Sequence, residues 1–307
     1  MADIHYVWWG NPPADNADLM GKAADTPNAM VALVGGRHTV HYWRQPGAFN
    51  PVLSAQIEVH ELSDPSTLLA GTYLEAGNRT RMEAIIATLA RYRAYAAVKD
   101  LLSYAIMNKH GGYFFDTTTR ISGVGTPQIR RMLDAPADGP RVPFYKVQGG
   151  GKYMRPDDQS ADYTQMFPIG VIPDARTVHV PNFDVWALYS PPQSVLFNTA
   201  VSSYLDRAMN FGLNAYPSVA RLGSKSVHEV MTQDDKDSRN LIIAGLSTTS
   251  ILQGLHVEAK TSKKTVADFG WEVIKKDASN AAYLFPDGGA VYVPALGLHK
   301  VFGGSWR

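Results

Sequence analysis

The chain has 307 residues, of which 45% are hydrophobic and 19% charged, and its formal net charge is +1. A chain of this length and composition can bury one large core, so we expect a single α/β domain over residues 1–307. The balanced charge argues against a nucleic-acid-binding protein. The absence of cysteine excludes disulfides, thiolate metal sites and a cysteine nucleophile.

The first part of the chain alternates short β-branched or aromatic runs with a long helical stretch. The runs at residues 4–9, 30–34, 39–43 and 57–60 predict strands. Apolar residues recur at three- and four-residue spacing from about 80 to 109, which indicates two helices that separate near residues 93–97. The pair Gly111-Gly112 predicts the end of the second helix, because glycine tolerates the left-handed backbone found there.

A buried strand at residues 113–115 follows the glycine pair and ends at Asp116. Residues 123–165 are rich in Gly, Pro, Asp and Gln, which predicts loops. Farther along, we predict strands at 167–172, 177–180, 281–285 and 290–293, a helix at 194–209 and a loop at 220–240. The alternation of strands and helices indicates an α/β sandwich.

The sequence shows no feature of a membrane protein. No apolar stretch reaches the roughly 18 residues that a membrane span needs. The first residues carry no basic segment followed by an apolar run, so we expect a soluble protein without a signal peptide.

Asp116 is the residue with the clearest chemical signal. It directly follows a buried aromatic strand, and ligands of open α/β sheets bind outside the carboxyl ends of the strands. Chemistry on a nucleotide sugar needs positive charge at such a place, because the diphosphate leaves with growing negative charge. That charge usually comes from a divalent cation held by oxygen ligands.

Three stretches carry a family resemblance. The central stretch covers residues 99–118, in which KDLLSYAI at 99–106 is followed by HGGYFFDTT at 110–118. The other two are IHYVWWG at 4–10, which precedes it, and LHKVFGGSW at 298–306, which follows it. In this order they resemble the motifs of the DXD-containing sugar transferases, which include fungal-type initiating mannosyltransferases and the catalytic domains of large clostridial glucosylating toxins. The resemblance implies a GT-A fold with a mixed, mostly parallel central sheet flanked by helices. It also implies a nucleoside-diphosphate sugar donor and Mn²⁺ or Mg²⁺.

The same resemblance implies roles for individual residues. Trp8, with Trp9 beside it, would stack on the base of the donor, although alternation in a strand points the two side chains to opposite faces. Asp100 would bind hydroxyls of the donor sugar, and Tyr104 would line the same pocket one helical turn on. Asp116 matches the first aspartate of DXD, which contacts ribose, sugar or metal.

Further positions match the tail and the metal-binding part of the family pattern. Ser305 and Trp306 match residues that close over the diphosphate, and His299 matches a histidine that can bind the metal. Two positions depart from the pattern. Thr118 stands where the family has the second aspartate, its principal metal ligand, and Ser103 stands where the family has an arginine.

The change at Thr118 leaves three alternatives open, because a threonine hydroxyl is neutral and binds divalent ions weakly. In the first, Asp116 and His299, with Thr118 and the donor phosphates, hold Mn²⁺ or Mg²⁺. In the second, cationic side chains replace the metal, and in the third, catalysis has been lost. The side chains that can supply positive charge are Arg79, Arg81, Arg120 and Lys300.

The leading functional hypothesis is a retaining glycosyltransferase that moves a hexose or N-acetylhexosamine from a UDP- or GDP-sugar to a protein or glycan acceptor. Asn182 and Asp184 fall where related enzymes place residues that contact the sugar or the acceptor. One alternative is a binding protein on the same fold that has lost catalysis, which Thr118 and Ser103 favour. Another is a donor hydrolase or toxin domain. The expected location is the bacterial cytoplasm, or a host cell into which the protein is secreted as an effector.

Overall fold

The computed structural model describes residues 2–11, 17–91, 94–121, 125–145, 185–213, 246–247, 249–275 and 291–301. The strands in these ranges are β1 (Ile4–Trp8), β2 (Val40–Arg44), β3 (Ile57–Glu61), β4 (Gly112–Phe115), β5 (Thr119–Ile121), β6 (Val142–Tyr145), β7 (Ala187–Ser190), β8 (Gly270–Lys275), β9 (Val291–Val293) and β10 (Leu298–Lys300). The α-helices are α1 (Ala17–Val34), α2 (Glu75–Arg91), α3 (Tyr95–His110), α4 (Thr126–Asp134), α5 (Val195–Leu213) and α6 (Thr249–Ser262). Short 3₁₀ helices cover Pro65–Leu69 and Val266–Phe269.

Two five-stranded sheets organise these elements. The first has the order β3-β2-β1-β4-β7, in which β7 is antiparallel to β4 and the other neighbours are parallel. The second has the order β5-β10-β9-β8-β6, in which the described pairs are antiparallel except β6 with β8. The predicted α/β class, with a mixed and mostly parallel central sheet flanked by helices, is therefore confirmed.

Buried apolar side chains form a core on each face of the first sheet. One core joins that sheet to α2, α3, α5 and α6, and the other joins it to α1, α4 and the second sheet. Helix α3 is buried on almost every side, and its residues Leu101, Leu102, Ala105 and Ile106 are all fully enclosed. None of the helices in the described ranges is long and apolar enough to cross a membrane.

Two predictions about secondary structure are wrong. Residues 30–34 were expected to form a strand but are the last turns of α1, because Met30, Val31 and Val34 pack at helical spacing on one buried face. Within the predicted loop region 123–165, the chain forms α4 and β6. The strong amphipathic spacing of Ile129 and Leu133, both buried, accounts for α4.

The other predicted elements within the described residues are confirmed. The strands near 4–9, 39–43, 57–60, 113–115 and 290–293 are present, as is the helix that begins near 194. The long helical stretch is broken between α2 and α3, as its spacing predicted. The predicted strands at 167–172, 177–180 and 281–285 and the predicted loop at 220–240 lie outside the described residues.

The glycine pair after α3 holds the helix-to-strand connection in a shape that a side chain would not fit. Gly111 has φ of +68° and Gly112 has φ of +83°. A Cβ atom on Gly112 would collide with the carbonyl oxygen of Asp3, which accepts a 2.8 Å hydrogen bond from the Tyr113 amide. This close approach aligns β4 with the chain that enters β1.

Gly112→Ala is expected to lower the free energy of unfolding by about 2–4 kcal/mol, through positive φ and the clash with Asp3. Gly71→Ala is the matched control, because Gly71 has φ of +75° but no atom within 4 Å of an added Cβ. That variant should lose only about 1 kcal/mol. Urea denaturation of both proteins measures the difference, and equal losses would show that the contact with Asp3 does not matter.

Candidate functional site

The carboxyl edge of the first sheet brings together the ends of β1 and β4. These strands are parallel neighbours, so Trp8 and Asp116 both lie at this edge. The Asp116 amide donates a 2.8 Å hydrogen bond to the Trp186 carbonyl, while the Thr119 amide and hydroxyl donate to the Asp116 carbonyl at 2.9 and 2.7 Å. These bonds fix the backbone of the turn that carries the Asp116 carboxylate.

Four charged side chains, Lys99, Asp100, Asp116 and Lys300, form a buried group that we call the charged cluster. The Lys99 Nζ atom lies 3.1 Å from Asp100 Oδ1 and 3.2 Å from Asp116 Oδ2. The Lys300 Nζ atom lies 3.7 Å from the same Asp116 oxygen. No side chain of the charged cluster is more than 13% exposed. Two lysines and two aspartates thus meet where water hardly reaches, and charges interact strongly in such a place.

The protonation states in the charged cluster follow from the competition between burial and charge. At Asp100, burial outweighs the attraction of Lys99 and raises the pKa. At Asp116, burial also opposes ionisation, but the ammonium groups of Lys99 and Lys300 outweigh it and lower the pKa from 3.8 to about 2. Burial alone would lower the pKa of Lys99, yet the two carboxylates raise it. At neutral pH, Asp116 is therefore an anion and Lys99 a cation.

The turn after Asp116 is held from α1. Arg120 Nη1 donates to the Thr26 hydroxyl at 2.8 Å and to the carbonyl oxygens of Thr119 and Thr117 at 2.9 and 3.3 Å. The Thr26 hydroxyl in turn donates to the Thr119 carbonyl. The hydroxyl of Thr118 is buried and has no hydrogen-bond partner among the described residues. Arg120 thus supports the backbone of the turn, and the Thr118 hydroxyl has hydrogen-bonding capacity that no described residue uses.

Trp8 and Trp9 lie on opposite faces of the first sheet, as strand alternation predicts. The half-buried Trp8 packs against the core on the α1 side, and its indole N–H donates to the Gly10 carbonyl at 3.0 Å. Trp9 packs against the core on the α3 side. Gly10, with φ of +88°, lies against the ring of Tyr95, where no Cβ atom would fit. The stacking of Trp8 or Trp9 on a nucleotide base stays a prediction.

The side chains of Ser103 and Tyr104 make their described hydrogen bonds inside the core. The Ser103 hydroxyl donates to the Asp100 carbonyl of its own helix at 2.8 Å. The Tyr104 hydroxyl donates to the Ser247 carbonyl at 2.9 Å, and its ring packs against Phe197. Of the three residues predicted on α3, the structure therefore places Asp100 in the charged cluster, whereas Ser103 and Tyr104 make contacts inside the core. Their contacts with a donor stay predictions.

The residues around Asp116 fit a divalent cation poorly. The Asp116 carboxylate is already ion-paired with both lysines of the charged cluster. His299 precedes Lys300 on β10, and adjacent strand residues point to opposite faces, so Lys300 rather than His299 reaches Asp116. Within the described ranges, neither Asp116 nor His299 belongs to a set of three histidine or acidic side chains with ligand atoms within 4.8 Å of one another. The side chains around Asp116 therefore favour lysine ammonium groups over a metal ion as the source of positive charge.

The structure distinguishes among the cations that the sequence offered for this role. Arg79 pairs with Asp64 at 3.0 Å and Arg81 pairs with Asp206, both away from Asp116. Lys300 is in the charged cluster, as expected of a candidate cation. Lys99 is there as well, although it was not among the cations expected from the sequence. The signal that identifies Lys99 is the burial of α3 on almost every side, because a charged side chain on such a helix has to be paired.

The predicted residues Asn182, Asp184, Ser305 and Trp306 lie outside the described residues.

No protein-family model matches the chain, and no curated protein matches it. Among solved structures, the chain is similar to one titled "PaToxG Glycosyltransferase", with a TM-score of 0.43 and 10% sequence identity. The alignment covers 87% of this chain and 73% of the other. A likeness of this size says nothing about what the chain binds or transfers, so the functional argument depends on the site.

Proposed function

We propose that the protein is a GT-A-type glycosyltransferase that moves a sugar from a nucleoside diphosphate to a hydroxyl or side chain of a protein or glycan acceptor. The observation that carries this proposal is the charged cluster, which lies at the carboxyl edge of a mostly parallel sheet. A buried carboxylate flanked by two ammonium groups offers both a hydrogen-bond acceptor for sugar hydroxyls and positive charge for phosphate. The three sequence motifs that resemble the DXD-containing sugar transferases point to the same edge.

In the proposed reaction, the bond between the anomeric carbon and the diphosphate oxygen breaks, and a bond from that carbon to the acceptor oxygen forms. The leaving diphosphate gains negative charge, which the ammonium groups of Lys99 and Lys300 stabilise more strongly in a buried site than in water. The acceptor oxygen attacks from the face that the diphosphate leaves, so the anomeric configuration is retained. On that face the leaving phosphate takes the acceptor proton, and the reaction needs no separate base. Asp116 orients the sugar or ribose hydroxyls.

The proposal assigns the neutralisation of the diphosphate to the two lysines of the charged cluster and not to a resident metal ion. It is supported by the ion pairs of Asp116 and by the neutral hydroxyl of Thr118, where the family has a carboxylate. The predicted roles of Mn²⁺ or Mg²⁺ and of His299 as a ligand are the competing hypothesis. The two differ in whether donor binding requires a divalent cation.

A second candidate function is recognition of a nucleotide sugar without transfer. It is favoured by the two departures from the family pattern, Thr118 and Ser103. The Ser103 hydroxyl donates a hydrogen bond within its own helix, and this residue supplies no charge to the site. A binding protein of this kind would hold the donor but release no nucleoside diphosphate.

A panel of UDP- and GDP-sugars tests the proposal. We expect one of them to raise the melting temperature, because a ligand that binds only the folded state stabilises it by mass action. Release of nucleoside diphosphate in the presence of an acceptor protein extract then separates transfer from binding, and release without any acceptor identifies a donor hydrolase. If no nucleotide sugar raises the melting temperature, both the transferase and the binding hypothesis are wrong.

A further inference from the structure

Three potential metal ligands lie together on β2 and β3, and none of them belongs to the charged cluster. His41 and Glu58 occupy the second positions of their parallel strands, and His60 follows two residues after Glu58. Asp116, in contrast, follows the last residue of its strand. His41 and Glu58 therefore lie near the amino ends of their strands, whereas Asp116 lies at the carboxyl edge of the sheet. Among the strands that the structure describes, β3 is the outermost of the first sheet.

The spacing of the three ligand atoms matches the length of the bonds that a zinc ion forms. His41 Nδ1 lies 2.9 Å from His60 Nε2 and 3.4 Å from Glu58 Oε2, and the remaining distance between His60 Nε2 and Glu58 Oε2 is 4.0 Å. The circle through these three atoms has a radius of about 2.0 Å, which is the length of a zinc–nitrogen or zinc–oxygen bond. A single ion can therefore contact all three atoms with little movement.

Two ring stacks hold the imidazoles in this arrangement. The His60 ring stacks on Trp43 with centroids 4.1 Å apart, and the His41 ring stacks on His5 at 5.0 Å. On the far side of His41, the Asp3 carboxylate lies 3.7 Å from Nε2. Metal-bound histidines commonly turn their second nitrogen toward a carboxylate, which fixes the ring and makes it a better ligand.

The protonation of the two imidazoles also suits a metal. Two ring nitrogens 2.9 Å apart cannot both carry a proton, so at least one lone pair points into the gap between them. The side chains of His41, His60 and Glu58 are 13%, 34% and 59% exposed, so an ion can enter from solvent.

We propose that His41, His60 and Glu58 form a binding site for zinc or a similar transition-metal dication, with Asp3 supporting His41. Two imidazoles with one carboxylate suit such ions better than Mg²⁺ or Ca²⁺, which prefer oxygen ligands. The remaining coordination positions are left to water. The ion joins β3 to β2, so it stabilises the sheet. The site is independent of the proposed sugar transfer, because none of its ligands belongs to the charged cluster.

Calorimetric titration of the full chain with zinc chloride, after removal of metals with EDTA, tests this site. We expect one ion to bind each chain and to raise the melting temperature. Loss of a partner that supports a metal ligand usually weakens metal binding roughly 10- to 100-fold, so Asp3→Asn should weaken zinc binding within that range. His60→Gln removes a ligand itself and should weaken zinc binding more. Cobalt substitution adds a second readout, because visible absorption bands of bound Co²⁺ report the ligand geometry.

Glu61→Gln is the matched control for Glu58→Gln. Glu61 is on the same strand but on the opposite face, where it pairs with Arg44 at 2.7 Å. The zinc affinity should fall in Glu58→Gln and stay unchanged in Glu61→Gln, and the cobalt spectrum should change in the first variant alone. Zinc binding that is absent from the wild-type chain, or equally strong in wild type, His60→Gln and Glu58→Gln, would overturn the proposal.

Discussion

Asp116→Asn is expected to lower the free energy of unfolding by about 3–5 kcal/mol, because it removes the carboxylate that offsets two buried ammonium groups. Total stabilities of folded domains are about 5–15 kcal/mol, so this variant should unfold at a markedly lower urea concentration. Adding Lys300→Met to Asp116→Asn removes one of the two cations. The double variant should recover part of the lost stability, because the effects of substitutions within one charged network on the free energy of unfolding are not additive.

Asp138→Asn is the control for this prediction, because its side chain is fully exposed and its partner Lys264 is 3.9 Å away. It should change stability by no measurable amount. Equal stability of Asp116→Asn, Asp138→Asn and the wild-type chain would show that the charged cluster is not a tightly coupled group.

The stability conferred by Asp116 should also depend on pH. Its pKa is lowered from 3.8 to about 2, so its contribution is complete above the unfolded value and is lost as the pH falls through the folded one. The wild-type chain should thus lose on the order of 2 kcal/mol through this group between about pH 4 and pH 2. The raised pKa of Asp100 acts in the opposite direction, because its protonated form is favoured in the folded state. Denaturation at several pH values should therefore show a steeper acid loss in wild type than in Asp116→Asn.

Lys300→Met is expected to weaken nucleotide-sugar binding by about 10- to 100-fold, the usual effect of losing a hydrogen bond to a charged group. Lys99 remains next to Asp116 in this variant, so the fold should hold. Lys300→Arg keeps a cation at the same place and should retain most of the affinity. Lys264→Met, which changes a half-exposed lysine outside the charged cluster, should leave the affinity unchanged. Unaltered affinity in Lys300→Met would place the diphosphate elsewhere.

Most of the first sheet could be predicted from the sequence, because its strands are short aromatic or β-branched runs bounded by glycine and proline. Residues 30–34 misled the prediction for a physical reason. Met30, Val31 and Val34 are as typical of a strand as of a helix face, and Pro27 lies inside α1, where proline usually ends a helix. The packing of α1 against the sheet outweighed these local preferences.

The charged cluster could be predicted only in part. Asp116 follows a strand in the sequence, and its motif context identified it. Lys300 reaches it because β10 pairs with β5, which joins residues about 180 positions apart in the chain, and no local pattern reports such a pairing. Lys99 looks like a solvated charge until α3 is known to be enclosed by other helices.

The central claim is that the lysines of the charged cluster, and not a metal ion, neutralise the donor diphosphate. Calorimetric titration of the wild-type chain with the stabilising nucleotide sugar, once in EDTA and once in Mn²⁺, tests it most directly. The account predicts similar affinity in both conditions, and in EDTA a much weaker affinity for Lys300→Met. Binding that disappears in EDTA, returns with Mn²⁺ and strengthens in Thr118→Asp would contradict it, and would assign the diphosphate to a metal ion held at Asp116.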